Sequence, residues 1–237
     1  MKTCLIRQPA GIGDLIFSQK IGFYYKGLGY RVVWPVTNFF SYIPDYMPSF
    51  EFPNEDSDFE FKHIYSDMSI KEIVENDDYL FIPLNGHNLR NQSVMASKYN
   101  LVNLPWEDWK KYVFINRKVD KENELYYDVL GLKDGEEYRF INYSFASPPS
   151  TLKMRRLNLK PGIKEVEMFL EDYTLFDWIK VIENATEICM TDSSPALLVE
   201  LYNRKIKDLI CILRGSHTLD VDTMYRLPWK YAKGVWE

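Results

Sequence analysis

The first 36 residues constrain the fold most. TCLIRQ (3–8) reads as a short buried strand, and Gly11 and Gly13 break the chain directly after it. LIFSQKIGFYYKGLG (15–29) places Leu15, Ile16, Ile21, Phe23 and Tyr24 in a helical pattern that closes at Gly27 and Gly29. YRVVWPV (30–36) reads as a second strand. Strand, turn, helix and strand in so short a span make a βαβ unit, which implies a parallel sheet and a right-handed crossover.

The rest of the chain continues the alternation. Residues 38–78 are aromatic, Pro-rich and acidic, as in FEFPNEDSDFEF, with FKHIYSD as a strand and SIKEIVEN as a helix. DYLFIPL predicts a strand, NLRNQSVMASKYNL a helix, and PWEDWKKYVFI a short helix and a strand. The polar stretch NRKVDKENE is the best boundary, giving domains 1–117 and 118–237. Beyond it, YYDVLGL predicts a helix, YRFINYSF a strand, ASPPSTLKMRRLNLKPG a loop and IKEVEM a strand. YTLFDWIKVIENA predicts an amphipathic helix, TEICMTD a strand, SPALLVELYNRK a helix and KDLICILRG a strand. A last helix is expected in the tail that ends WKYAKGVWE. Both halves read as α/β, so the expected architecture is two small Rossmann-like domains with parallel sheets facing a central cleft.

Composition narrows the function classes. The net charge of −5 argues against a general nucleic-acid binder, which needs a basic surface. The aromatic share of 16% suits both a core and a sugar-facing cleft, and the loops from Phe39 to Phe61 are the candidate acceptor wall. Cys4, Cys189 and Cys211 all lie in apolar runs, as buried cysteines of a reducing compartment do. His63, His87 and His217 lack ligand spacing, so no metal site is expected. No signal segment and no 18-residue apolar stretch is visible, and the sequons at Asn91, Asn142 and Asn184 are read as chance. The expectation is a cytoplasmic protein with no membrane span.

The turn PAGIGDLIF (9–17) carries the first candidate. A phosphate-binding GxxxxGK[ST] loop needs a lysine where this chain has Asp14, and an aspartate repels phosphate. The dinucleotide pattern GxGxxG fails at Ile16. What remains is a glycine turn that delivers Asp14 to a helix N-terminus. Asp14 is then either a helix cap, favoured by the positive end of the helix dipole, or a cleft-facing general base just beyond a strand's carboxyl end.

A second turn lies in MTDSSPALLVE (190–200). Thr191, Asp192, Ser193 and Ser194 follow a strand, and Pro195 suits the first helical position with Ser194 as the cap. Hydroxyls and free amides at a helix N-terminus form an anion site, and Glu200 further along could accept ribose hydroxyls. The loop SFASPPSTLKMRR (144–156) adds Ser144, Ser147, Ser150 and Thr151, and its cations Lys153, Arg155 and Arg156 suit a diphosphate. Each feature also has a plain reading: a capped helix with a surface Glu200, and a solvated basic loop.

Together these segments resemble the GT-B glycosyltransferases, most closely the heptosyltransferase-like (ADP-heptose:lipopolysaccharide heptosyltransferase) family. LIRQPAGIGDLIFSQKI resembles that family's N-terminal Gly-Asp turn, and LFDWIKVIENATEICMTDSSPALLVEL resembles its donor-binding stretch. The likeness spans about 30 residues at each end. The family carries Thr/Ser-Gly and a histidine where this chain has Ser-Ser-Pro-Ala. The resemblance implies an inverting, metal-independent hexosyl- or heptosyltransferase without cofactor. Its substrates would be a nucleotide-diphosphate sugar and a glycan or lipid-linked glycan acceptor. It also implies Asp14 as general base, and Gly13, Ser144, Lys153, Arg155, Arg156, Asp192, Ser193, Ser194 and Glu200 on the donor. A sugar-nucleotide epimerase of the same architecture, or a non-catalytic nucleotide-sugar or carbohydrate-binding module, are the alternatives.

Overall fold

The computed structural model describes residues 1–8, 11–86, 93–147, 150–214 and 219–234. The chain divides into two compact units, Met1–Asn116 and Arg117–Glu237.

In the first unit, β1 (Thr3–Ile6), α1 (Ile12–Gly27) and β2 (Arg31–Val33) form the opening βαβ unit. Two short helices follow, α2 (Ile43–Tyr46) and α3 (Lys62–Ser66). After them come β3 (Val74–Glu75), β4 (Tyr79–Ile82) and α4 (Val94–Leu101). The sheet order is β2-β1-β4-β3; β1 is parallel to both neighbours and β3 is antiparallel to β4. β1 is buried on both faces, which is why TCLI is continuously apolar rather than alternating. One face carries α1, whose Phe17 packs its ring against Tyr99 of α4 and against Trp109. The other face is covered by the segment 59–74, whose Phe59, Phe61, Ile64, Ile70 and Val74 pack on Leu5, Val33, Tyr65 and Phe81. Full burial of Leu5, Val33 or Phe81 contributes about 1.5–3 kcal/mol each, and the half-buried side chains over them less.

The second unit begins with α5 (Val119–Asn123), which runs into a wider π-type turn over Glu124–Val129. Next come β5 (Tyr138–Asn142), the hairpin β6 (Ser144–Ser147) and β7 (Ser150–Lys153), and β8 (Lys164–Glu167). Then follow α6 (Ile179–Asn184), β9 (Glu187–Thr191), α7 (Ser194–Tyr202), β10 (Asp208–Leu213), α8 (Leu219–Met224) and β11 (Lys230–Lys233). The sheet order is β11-β10-β9-β5-β8, all parallel. Tyr143, Phe145 and Met154 pack with Ile141, Cys189 and Ile212 in one buried cluster. Against other parts of the sheet, Phe140 meets Trp178, and the Tyr138 hydroxyl donates to the Val181 carbonyl at 2.6 Å.

Several local expectations are corrected. FKHIYSD is the helix α3, because Phe61, Ile64 and Tyr65 follow the i, i+3, i+4 spacing. SIKEIVEN does not form a helix; Val74 and Glu75 are drawn out to pair with Phe81 and Leu80, so tertiary pairing overrides local preference. The segment 113–118 after Trp109–Tyr112 is not a strand. The basic loop is largely the β6–β7 hairpin; Pro148, Pro149 and the side chains of Ser147, Ser150 and Thr151 lie outside the described residues. The tail's helix is α8 (Leu219–Met224), and WKYAK after it holds the edge strand β11, paired to β10. Of the aromatics in the expected acceptor wall, Phe40, Tyr46 and Phe50 are buried in the core, Tyr42, Phe52, Phe59 and Phe61 are half-buried, and Phe39 is exposed. Among the described residues no helix is long and apolar enough to cross a membrane.

Candidate functional site

In the first unit, the turn after β1 is built around Gly11. Its φ of 86° and ψ of 85° are left-handed, and it is the cap of α1, its carbonyl accepting the Leu15 N–H at 3.1 Å. The helix therefore starts at Ile12, earlier than expected; Gly13 and Asp14 lie in its first turn, and Asp14 is not the cap residue. Pro9 and Ala10 lie outside the described residues.

The Asp14 carboxylate folds back over Gly11. A Cβ at Gly11 would stand 2.2 Å from Asp14 Oδ2, so only glycine leaves room for it. Asp14 Oδ1 forms an ion pair with Lys98 Nζ at 2.8 Å; the Lys98 side chain is 2% exposed and that of Asp14 is 26% exposed. The same ammonium donates to Gln8 Oε1, and Gln8 is itself buried beyond the end of β1. Trp34 Nε1 donates to the Gln8 carbonyl at 3.3 Å. Lys98 is carried by α4, whose cap Ser93 accepts the Ala96 N–H at 3.0 Å. Lys98 was not foreseen from the sequence; nothing in VMASKYNL sets this lysine apart from a solvated one.

In the second unit, the carboxyl ends of β5, β9 and β10 bring Ser144, Asp192 and Ser193 together. Thr191 Oγ1 lies 3.1 Å from Ser193 Oγ and donates to the Ser144 carbonyl at 3.5 Å. Asp192 Oδ1 accepts both the backbone N–H of Arg214 at 2.9 Å and its Nε–H at 3.0 Å. Burial pushes the Asp192 carboxyl up from its ordinary value, while Arg214 draws it back down. The Arg214 side chain is 45% exposed and lies over the Phe145 ring, 4.8 Å from its centroid. Arg214 was also missed. It holds the same place after β10 that Asp192 holds after β9, which is the signal that points to it.

The start of α7 differs by one residue from expectation. Ser193, extended at φ −145° and ψ 178°, is the cap; Ser194 is the first helical residue and Pro195 the second. Pro195 has no N–H, and the Ala196 N–H donates to the Ser193 carbonyl at 2.9 Å, so fewer amides face an anion than the sequence suggests.

Two expected donor residues are committed elsewhere. Glu200 is 1% exposed, and its Oε1 accepts from the backbone N–H groups of Arg226 and Leu227 and from Trp229 Nε1, at 2.7–2.9 Å. It ties residues 226–229 to α7 and does not face a ribose. The reason lies in PALLVE, where Pro195 to Glu200 are all buried and a buried carboxylate must find donors. Arg156 pairs with Glu165 at 3.2 Å and Glu167 at 3.6 Å. Lys153 ends β7 opposite Ser144, and Arg155 follows it; both are exposed and, among the described residues, make no ion pair. His63 is exposed, while His87 and His217 lie outside the described residues. Among the described residues no group of three or more His, Cys, Asp or Glu is arranged to hold a metal ion. Cys4, Cys189 and Cys211 are buried and unpaired, and burial pushes the Cys189 thiol up to about 11.

No protein-family model matches the chain, and no curated protein matches it. Solved structures do. A glycosyl transferase of family 9 from Veillonella parvula DSM 2008 superposes with a TM-score of 0.59 at 10% identity, covering 98% of this chain and 86% of that one. The iron-containing dodecameric glycosyltransferase TibC from enterotoxigenic E. coli H10407 gives a TM-score of 0.51 at 12% identity, covering 98% of this chain and 63% of that one. At such identities the likeness is one of fold, and the chain has the mixed α/β, parallel-sheet fold of these GT-B glycosyltransferases.

Proposed function

We propose that the protein is an inverting glycosyltransferase, moving a sugar from a nucleotide-diphosphate sugar to a hydroxyl of a glycan or lipid-linked glycan. The observation that carries this reading is the Asp14 carboxylate, seated beyond the carboxyl end of β1 and partly open to solvent, in a fold that known glycosyltransferases share. Oδ1 is engaged by Lys98, and Oδ2 takes the proton of the acceptor hydroxyl. As that O–H bond breaks, the acceptor oxygen bonds to the anomeric carbon from the face opposite the leaving group. The bond to the diphosphate breaks, its electron pair stays on the diphosphate, and a single displacement inverts the centre.

The donor belongs to the second unit. Arg214, Lys153 and Arg155 supply positive charge to the diphosphate, and Ser144, Ser193 and Ser194 supply hydroxyls. Charge that develops on the leaving group is met by groups already in place. Asp192 acts through Arg214, whose guanidinium it holds. With these cations on the diphosphate, the reaction is read as needing no resident metal. A cytoplasmic location suits the three unpaired cysteines.

The test is a transfer assay with ADP-, GDP-, UDP- and dTDP-sugars against a panel of glycan and lipid-linked acceptors, with and without EDTA. Asp14→Asn is expected to lower kcat by at least about 100-fold while leaving donor affinity within about twofold. An active Asp14→Asn protein overturns the base assignment, and a rate lost to EDTA and restored by a divalent ion overturns metal independence. Donor conversion without acceptor identifies an epimerase, and donor binding without turnover identifies a binding module.

A further inference from the structure

We infer that Lys98 is a positioning residue for Asp14: it grips the carboxylate from the protein side and fixes which oxygen is presented to substrate. The inference rests on the general-base reading above. Its starting point is an asymmetry. Here the Lys98 side chain is 2% exposed and the Asp14 side chain 26% exposed, so a buried cation stands behind a partly open acid. The pair of Lys20 and Asp108 shares this asymmetry, but of the two only the Asp14 pair sits at the turn after β1.

A buried ammonium is costly to desolvate, and an apolar side chain of similar length would join α4 to the turn at lower cost. Lys98 is nevertheless among the largest fully buried side chains of the chain. Its ammonium meets Asp14 Oδ1 at 2.8 Å and Gln8 Oε1, two groups that flank the turn after β1. On the remaining side, Oδ2 lies over Gly11, where a side chain would collide with it. Oδ1 is thus held by charge and Oδ2 is seated by shape. Gln8, on the same ammonium, sets the direction from which Lys98 reaches the acid. The carboxylate is left one orientation, and a reacting group held in one orientation avoids the entropic cost of finding it.

The closing experiment compares Lys98→Met, Lys98→Arg, Asp14→Asn and the double variant Asp14→Asn/Lys98→Met in the full chain. The assay uses whichever ADP-, GDP-, UDP- or dTDP-sugar the wild type turns over, with water or glycan as acceptor. Lys98→Met is expected to lower kcat by about 30-fold or more while the donor KM stays within about twofold, because no donor group is touched. Lys98→Arg, which keeps the cation, should retain at least about tenfold more turnover than Lys98→Met. The double variant should be no slower than Asp14→Asn alone, since residues that act as one unit are not additive.

An inactive Asp14→Asn beside a Lys98→Met protein of wild-type kcat overturns the positioning role and leaves the base reading standing. Additive losses in the double variant also overturn it. An active Asp14→Asn protein overturns the base reading itself, and the inference with it. Crystal structures of wild type and Lys98→Met give a readout that needs no substrate. An Asp14 carboxylate that leaves its seat over Gly11 supports the inference, and one that stays there overturns it. If Lys98→Met does not fold, Lys98→Gln serves for both measurements.

Discussion

At Gly11 the backbone takes φ 86°, and the space where a Cβ would sit is filled by the Asp14 carboxylate. Gly11→Ala meets both obstacles. The left-handed conformation costs a side-chain-bearing residue about 1–2 kcal/mol, and the methyl group forces the carboxylate to turn away. Urea unfolding should show that loss of stability, and the transfer assay should show a fall in kcat at least as large as that of Lys98→Met; wild-type turnover in Gly11→Ala would refute the seat. At this scale the sequence reveals half of each pairing. The glycines and Asp14 are adjacent in the chain, so the turn can be read directly. Lys98 lies 90 residues from Gln8 and Arg214 lies 22 from Asp192, and no local pattern shows which distant cation the fold brings to which acid. Glu200 was open to inference: a lone acid in an apolar helix has to be satisfied from inside.

The pairing of Asp192 with Arg214 fastens the end of β9 to the end of β10. It also makes that junction sensitive to pH. The carboxyl is raised above the ordinary range, chiefly by burial. It therefore holds its proton better in the folded than in the unfolded chain. Its contribution to stability is fully present below the ordinary carboxylate value, about 3.8, and is lost as pH rises through the raised value. Asp192→Asn cannot ionise. The stability of wild type relative to Asp192→Asn should accordingly fall as pH rises above the ordinary carboxylate value, which urea unfolding at three pH values would measure. A constant or rising difference would contradict the assignment. Among the elements, α1, α7, β9 and β10 are legible because apolar periodicity and burial agree. The short segments are not. α3 and β3 exchange their expected types, and β11 looks unlike a strand until β10 is there to pair with it.

Each unit manages its own sheet edges. In the second unit the edge strands are KEVE and KYAK, both bearing charge, and charged edges resist pairing with another sheet. In the first unit β3 is two residues long, and the β2 edge is met by Glu51 through the bridge at Val33. The alternation of strands and helices made the α/β class readable in both halves, because parallel strands need long crossovers whose helices have their own period. Function divides the same way in the proposed reading, with the acid in one unit and the donor groups in the other. Hydrogen exchange measured with and without a nucleoside diphosphate should therefore slow amides in residues 191–196 and 210–214 and leave β1 and α1 unchanged. Protection confined to the first unit would reverse the assignment of the donor.

The proline at the second position of α7 has a consequence for how an anion is held there. A helix start with all its amides free binds anions through fixed dipoles close to the ligand. Here Pro195 offers no N–H and the Ala196 N–H donates to the Ser193 carbonyl, so in the proposed reading attraction falls mainly to exposed side-chain cations, Arg214 with Lys153 and Arg155. Mobile ions screen an exposed charge over about 8 Å at physiological ionic strength. If the donor binds here as proposed, its affinity should be set by the surrounding electrolyte as much as by the protein, rising in dilute buffer and falling as salt is added.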